Sequence, residues 1–347
     1  MDISLFDYNL PQELIAQFPS RERDQSRLMI IDRNSKNNYE KIDFFRKIAD
    51  FIKPGDALVV NDTKVFKARL FGFRKTGANI EIFLIRKVKE TNKLQWYAFV
   101  SPSRRVKTGE QIIFNNDQIE LVEDLGNGKW IVSFKSITQQ ENIISQCGHI
   151  PLPHYIRRAD QPQDLQRYQT IFAGDDKTGA VAAPTAGFHF TKLLSAVLLE
   201  KGVKILKITL HVGPGTFKPV KAYDIENHSV DPEFAEITPE VADELNNIRF
   251  NGGSLFAVGT TSVRTLESAK IINNKIQPFS DMVDLYIKPG YKFNVVDHLI
   301  TNFHLPKSSL IILVSAFAGR ERIIDAYQAA IENGMRFYSY GDAMLIL

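Results

Sequence analysis

The sequence predicts an α/β main domain, a mixed sheet with flanking helices, that carries an inserted small antiparallel β-barrel domain. Three observations lead there. From about residue 160 onward, strand patterns alternate with helix patterns, which is the signature of an α/β layer architecture. Between Lys64 and Arg158 the chain switches to short strands separated by frequent turns, the pattern of a small barrel. Finally, 347 residues exceed what one hydrophobic core usually serves. Residues 1–63 and 159–347 are therefore read as one main, catalytic domain. Residues 64–158 are read as the insertion, with the polar stretch 157–169 as the return linker.

The elements justify this reading in order. Phe44 to Val60 offers a helix and a strand. Ala78–Val88 and Leu94–Val100 are rich in β-branched and aromatic residues around Glu90-Thr91-Asn92-Lys93, a hairpin pattern. Asn115-Asn116-Asp117 and Gly126-Asn127-Gly128 mark two further turns, between strands 111–114, 118–122 and 130–134. Closing such strands into a barrel hides their edges. Thr191 caps a helix that ends before Gly202, and Val203–Leu210 alternates as a strand. Thr238-Pro239 opens a helix closed by Asn251-Gly252-Gly253. Leu255–Val258 reads as a buried strand and Ser262–Ile272 as a third helix. Ser308 or Ser309 caps an apolar helix to Ala318, and 322–333 is amphipathic.

Composition narrows the class. The chain is 44% apolar and 24% charged, an ordinary globular balance. A single cysteine, Cys147, permits neither an internal disulfide nor a cysteine-rich zinc cage. The opening Met1-Asp2-Ile3 lacks a basic signal-peptide start. The longest apolar run, Leu310–Ala318, is far short of the roughly 20 residues that a membrane span needs. A cytoplasmic protein is expected, with a monomer as the default. The net charge of +3 is unevenly spread: residues 64–158 hold 16 Lys and Arg against 8 Asp and Glu, so the rest of the chain is acidic. A basic module beside an acidic one suits a polyanionic partner, although a Lys-rich solvated surface has the same composition.

Four segments depart from core patterning. Ala182–Phe190 (AAPTAGFHF) places small residues and His189 just before a helix start, where free amides favour an anion. A buried, structurally bonded His189 ring is the alternative. Thr209–Phe217 puts His211, Gly213 and Gly215 at a strand's carboxyl end, where open α/β sheets bind ligands. Val258–Glu267 joins a strand to a helix through Gly259, Thr260, Thr261 and Ser262, with Arg264 in the first turn. Such donors hold a carboxylate or phosphate, or else Arg264 pairs with an internal acid. Ile300–Pro306 brings His304 ahead of the apolar helix, where a structural role at the helix entry is favoured over a ligand contact. Phosphate-loop, zinc-helix and serine-elbow motifs are missing from the sequence.

At these segments the chain resembles a known family. AAPTAGFHF, LHVGPGTFKPV, VGTTSVRTLES and TNFHLPKSSLIILVSAFAGRE, together with the opening FDYNLPQELIAQFPSRERDQSRL, VVNDTKVFKARLFG, GHIPLPHYI and the ending YSYGDAMLI, are similar to S-adenosylmethionine:tRNA ribosyltransferase-isomerases of queuosine synthesis. One segment departs: where that family has a pattern like His-x-Met-His-x-Glu, this chain reads His228-Ser229-Val230-Asp231-Pro232-Glu233, with Asp231 in place of the second histidine, and the segment is left out of the expected catalytic set.

The resemblance implies an enzyme that moves the ribosyl group of S-adenosylmethionine to 7-aminomethyl-7-deazaguanine at the tRNA wobble position. It forms epoxyqueuosine and releases adenine and methionine. The donor is a consumed co-substrate, and neither metal nor redox cofactor is implied. An enzyme using the same donor on a free nucleobase, or a non-catalytic tRNA-binding protein, are the competing readings.

Several proton transfers near neutral pH favour histidines. Onto this chemistry we place His189, His211, Asp62 and Asp342 as expected catalytic groups. Thr185, Ala186, Gly187, Gly213, Gly215, Thr260, Thr261, Ser262 and Arg264 are expected around the donor. Arg21, Arg23, Arg27, Arg69, Arg104 and Arg105 are expected on tRNA phosphates, with Phe188 and Phe217 as base-stacking candidates against a core-packing alternative.

Overall fold

The computed structural model describes residues 1–347 apart from 38, 89–93 and 218, and the side chains of 216 and 217; the hairpin turn read at 90–93 lies outside the described residues. The chain opens with β1 (Arg27–Ile31), β2 (Lys41–Phe44), a 3-10 turn at Phe45–Asp50 and β3 (Ala57–Asn61). Six strands follow: β4 (Arg69–Phe73), β5 (Asn79–Lys87), β6 (Gln95–Ser101), β7 (Gln111–Phe114), β8 (Asp117–Gly126) and β9 (Lys129–Ser133). Neighbours pair antiparallel in the order β4-β5-β6-β9-β8-β7, and Phe73 pairs with Ile113 to close the barrel. Asn115 and Asn127 take the left-handed conformation at its tight turns, as their short polar side chains allow. Inward residues such as Leu70, Ile82, Ala98, Ile112 and Trp130 form the barrel's own core. Helix α1 (Ile137–Cys147) packs on it; Trp96 donates to Gln140 of that helix at 2.8 Å.

The chain then returns to the main layer. Helix α2 (Lys192–Glu200), β10 (Lys204–Leu210), β11 (Glu233–Ile237), α3 (Pro239–Phe250) and β12 (Leu255–Val258) follow. After them come α4 (Thr260–Ser268), β13 (Phe279–Val283), β14 (His298–Asn302), α5 (Ser309–Ala318), α6 (Arg320–Glu332) and β15 (Ala343–Ile346). The nine-stranded sheet runs β13-β11-β10-β3-β12-β14-β15-β1-β2. Its centre, β10-β3-β12-β14, is parallel; β15 lies antiparallel to β14 and parallel to β1. Both faces are covered. Ala57 and Val59 point into a core with α3 to α6, while Leu58 and Val60 point into a second core with α2 and the 45–50 turn. A mixed sheet so covered needs near-continuous apolar strands, and β3, β12 and β15 are buried throughout.

Local capping explains where the helices start. The hydroxyls of Thr191, Thr238 and Ser308 accept from the backbone N–H three residues on, as expected. The expected helix 262–272 is corrected. α4 begins at Thr260 and ends at Ser268, and Ile271–Ile272 pairs with Lys275–Ile276 across a tight turn. Asn273 and Asn274 both have positive φ there, the requirement of a two-residue hairpin turn. No helix among the described residues is long and apolar enough to cross a membrane.

Candidate active site

Four parallel strands end side by side, and their carboxyl ends carry Asn61-Asp62-Thr63, His211-Val212, Gly259-Thr260 and Phe303-His304. Ligands in open α/β sheets lie beyond this edge. A narrow central cavity sits there, lined by Thr185, Ala186, Thr260, Thr261, Asn302 and His304, with Tyr155, Tyr338 and Ser339 at its rim. It adjoins two larger chambers. Leu310 also lines a polar chamber of about 380 Å³, whose walls include His228, Asp231, Glu233, Arg264 and Tyr286. Tyr155 also lines a cleft of about 350 Å³ between the barrel and the Pro151–Tyr155 segment.

The donor groups of the central cavity come from α4. Gly259, at φ +90, precedes the helix and offers no side-chain cap, so the first-turn amides stay open. The Thr261 hydroxyl is buried with no hydrogen-bond partner among the described residues. One turn on, Arg264 is buried. Its Nη1 pairs with Glu233, its Nε donates to the Leu285 carbonyl at 3.1 Å, and its Nη2 has no partner among the described residues. Glu233 in turn accepts from the Gly213 N–H at 2.6 Å. A buried guanidinium with one unused donor, beside an uncapped helix start, is equipped to take a carboxylate.

The four expected catalytic groups are each bonded within the protein, and none of them is among the residues that line the three spaces described above. His189 is buried, stacked on Phe45 with centroids 4.9 Å apart. Its Nδ1 meets the Ser26 hydroxyl at 2.6 Å and its Nε2 meets Asn302 Nδ2 at 3.1 Å. Burial, with Arg336 and Arg23 nearby, pushes its pKa down to about 3. A small void touches it, of about 20 Å³, room for little more than a water. His211 stacks on Phe234 and bonds Thr63 Oγ1 at 2.7 Å. Gly179 lies so close that a Cβ there would sit 2.7 Å from the ring. Burial, then Lys177, lowers its pKa to about 4. Asp62 is spent on the Thr209 hydroxyl at 2.7 Å, and burial raises its pKa. Asp342 accepts the N–H groups of Arg27 and Arg336, both at 2.8 Å, which ties β1 to the turn before β15.

The expected donor set divides. Thr185, Ala186, Thr260 and Thr261 line the central cavity; Gly215 and Arg264 line the polar chamber. Gly187 serves packing, since a Cβ would meet Thr170 Cγ2 at 2.7 Å. Gly213 and Ser262 bond within the protein, Ser262 Oγ to the Val258 carbonyl at 2.8 Å.

Among the arginines, Arg23 is engaged within the protein. Its half-buried guanidinium donates to the carbonyls of Phe188, Gln166 and Gln169, and partial burial lowers its pKa to about 10, so it is a structural tie. Arg27 donates to the Asn333 carbonyl at 2.7 Å, and Arg69 pairs with Glu81 at 3.0 Å. Arg21, Arg104 and Arg105 are exposed. Phe188 takes its core-packing alternative, against Tyr168 and Tyr340; the Phe217 side chain lies outside the described residues.

Sequence reasoning missed several residues that do face the cavities. His304 lines the central one, its Nε2 on Thr301 Oγ1 at 2.9 Å, with burial pushing its pKa to about 3. Its position ahead of a capped helix had suggested a structural role. Tyr338 holds φ +71, an uncommon conformation for an aromatic residue, pinned by Asn302 Nδ2 on its carbonyl at 3.1 Å. His228 and Asp231, set aside because the segment departs from the family pattern, line the polar chamber. Burial lowers the His228 pKa while Asp231 opposes that shift.

Fold and site together define an α/β enzyme whose cavities lie at the carboxyl edge of a mixed sheet and reach a basic barrel. The chain belongs to the queuosine biosynthesis protein family, whose model matches residues 3–346. It is 47% identical over 348 residues, the full length of both chains, to the S-adenosylmethionine:tRNA ribosyltransferase-isomerase of a Sulfurihydrogenibium species. It is 44% identical over 350 residues, again all of both, to the protein of that name from Desulforamulus reducens. The crystal structure of S-adenosylmethionine tRNA ribosyltransferase from Thermotoga maritima is 35% identical, with a TM-score of 0.55 over 99% of this chain and 100% of that one. This protein is an enzyme of the transferase class, in queuosine biosynthesis.

Proposed function

We propose that the enzyme transfers and isomerises the ribosyl moiety of S-adenosylmethionine onto 7-aminomethyl-7-deazaguanine at the wobble position of tRNA. Epoxyqueuosine-tRNA, adenine and methionine are the products. The observation that carries this reading is a set of three neighbouring spaces that share wall residues. One holds an unused buried guanidinium, the middle one an uncapped helix start and an imidazole, and the third faces the barrel.

The donor's methionine carboxylate belongs with Arg264 Nη2, and its ribose beside Thr260, Thr261 and Asn302. The sulfonium makes the ribosyl 5′ hydrogens acidic, so a base must take one; adenine departs more readily when a ring nitrogen is protonated. His228 and His304 are the imidazoles that face the two inner spaces, and they replace His189 and His211 in this reading. His304 is held neutral by its burial, which suits a hydrogen-bonding and positioning role; His228, beside Asp231, is the better proton carrier. Polyanion contacts fall to Arg21, Arg104 and Arg105. The protein works in the cytoplasm as a monomer and needs no metal or redox cofactor.

The test is one incubation of the enzyme with S-adenosylmethionine and tRNA bearing the precursor base. Adenine and methionine appear together and only when that tRNA is present. Release of S-adenosylhomocysteine, or turnover on the free base alone, overturns the reading.

A further inference from the structure

The outer face of the barrel carries a row that the sheet register builds directly. Arg69 on β4 pairs with Phe83 on β5, Phe83 with Phe99 on β6, and Phe99 with Lys129 on β9. Two half-buried aromatic rings thus lie side by side, with a cation at each end. Alternation along β5 puts Glu81 on the same face, two residues from Phe83. Arg69 joins them: its Nε pairs with Glu81 Oε1 at 3.0 Å, and its guanidinium carbon lies 5.6 Å from the Phe83 ring centre. Glu81 Oε2 takes no part in that ion pair. Arg69, Glu81, Phe83 and Phe99 form the barrel wall of the 350 Å³ cleft, and Tyr155 lines both that cleft and the central cavity.

We infer that this cleft is a clamp for an unpaired guanine-type nucleotide of the RNA. The inference rests on the proposed function and deepens it by placing the base. Aromatic faces stack unpaired bases without regard to sequence, and Lys129 at the far end of the row adds a cation for a neighbouring phosphate beyond those the exposed arginines hold. The local excess of 16 basic over 8 acidic residues in 64–158 supplies the complementary charge. An acid in the middle of such a surface repels phosphate, so Glu81 calls for a ligand that donates. A guanine-type base does, with N1–H and the exocyclic amine side by side on one edge, and a carboxylate accepts from both. Adenine and the pyrimidines lack that pair of donors. Arg69 holds the carboxylate in place and leaves Oε2 for the base. A 7-substituent, opposite the Watson–Crick edge, then points away from Glu81.

The test measures binding of a labelled RNA hairpin with an unpaired loop guanine to the full-length enzyme without donor. A second hairpin carries inosine there, which lacks the exocyclic amine. The wild type prefers guanine by about ten-fold. Glu81→Gln abolishes that preference. Phe83→Ala weakens the guanine hairpin about ten-fold, and Phe83→Trp restores it. Phe73→Ala, on the same barrel face outside the cleft, leaves binding unchanged, and melting temperatures confirm that each variant folds. Wild-type binding by Phe83→Ala, or a guanine preference retained by Glu81→Gln, overturns the clamp. Adenine release with tRNA, scored in parallel, separates the two readings. If it persists while the clamp variants bind normally, only the clamp falls. If it is lacking and the wild type binds neither hairpin, the proposed function falls and the clamp with it.

Discussion

Asn302 fixes the protonation of His189. The amide Nδ2 can only donate, so at 3.1 Å it makes His189 Nε2 an acceptor, and Nδ1 carries the ring proton to Ser26 Oγ. The same amide oxygen accepts from Thr185 Oγ1 at 3.0 Å, and Nδ2 also reaches the Tyr338 carbonyl. His189 therefore acts through Asn302 on two residues of the central cavity. His189→Ala is expected to cost about 1–3 kcal/mol of stability by leaving Asn302 and Ser26 unsatisfied. At a temperature where the variant stays folded, turnover falls through misplaced Thr185, while RNA affinity holds. His189→Gln, which can still accept from Asn302, recovers part of both in denaturation and kinetic assays. A wild-type unfolding midpoint for His189→Ala contradicts this.

Burial of three neutral imidazoles makes the fold acid-sensitive. An unfolded histidine takes a proton near pH 6.5, whereas folded His189 and His304 resist until about 3 and His211 until about 4. The unfolded state thus binds more protons below 6.5, so stability is full above that pH and declines as the pH falls toward the folded values. At pH 5 each fully buried ring costs about 2 kcal/mol. Urea unfolding at pH 7 and pH 5 is expected to show the drop, and His304→Gln to flatten it. Equal stability at the two values would mean the rings protonate freely in the fold.

Much of this architecture was legible because local chemistry decided it. The caps Thr191, Thr238 and Ser308 act on amides three residues away, so no distant contact was needed to read them. The hairpin at Asn273-Asn274 carried its own signal, two residues tolerant of positive φ, and apolar Ile271 and Ile272 masked it as helix. The direction of a loop imidazole is a different matter. His189 and His304 both sit in small-residue or turn segments beside helix starts. Only the packing of Phe45 and Ser26 around one, and of Thr301 and Tyr327 near the other, decides which faces the cavity. The Arg264–Glu233 pair spans 31 residues and two elements, and no spacing rule announces it.

That pair carries a further expectation. Glu233→Gln retains volume and one acceptor oxygen but removes the charge that offsets Arg264, whereas Arg264→Ala leaves Glu233 buried without its cation. Breaking a buried pair from one side costs about 3–5 kcal/mol. Arg264→Lys keeps the charge, though not the geometry that serves Glu233, Leu285 and a ligand at once. It is expected to fold and to raise the KM for S-adenosylmethionine at least about ten-fold with a smaller change in kcat. An unchanged KM removes Arg264 from the donor site.

Arg104 and Arg105 test the route of the RNA from the other end. They occupy an exposed 3-10 turn directly after β6, the strand that bears Phe99. No carboxylate pairs with either among the described residues, so both guanidinium groups are available to phosphates. Each phosphate neutralised steepens the logarithmic salt dependence of binding by about 0.9 for duplex and about 0.7 for single strands. The double Ala variant is expected to bind tRNA more weakly at low salt and to converge with the wild type at high salt, its slope reduced by about 1–2. Because these side chains read charge and not sequence, the loss is the same for guanine and inosine hairpins. Parallel slopes for variant and wild type would direct the RNA to another face of the barrel.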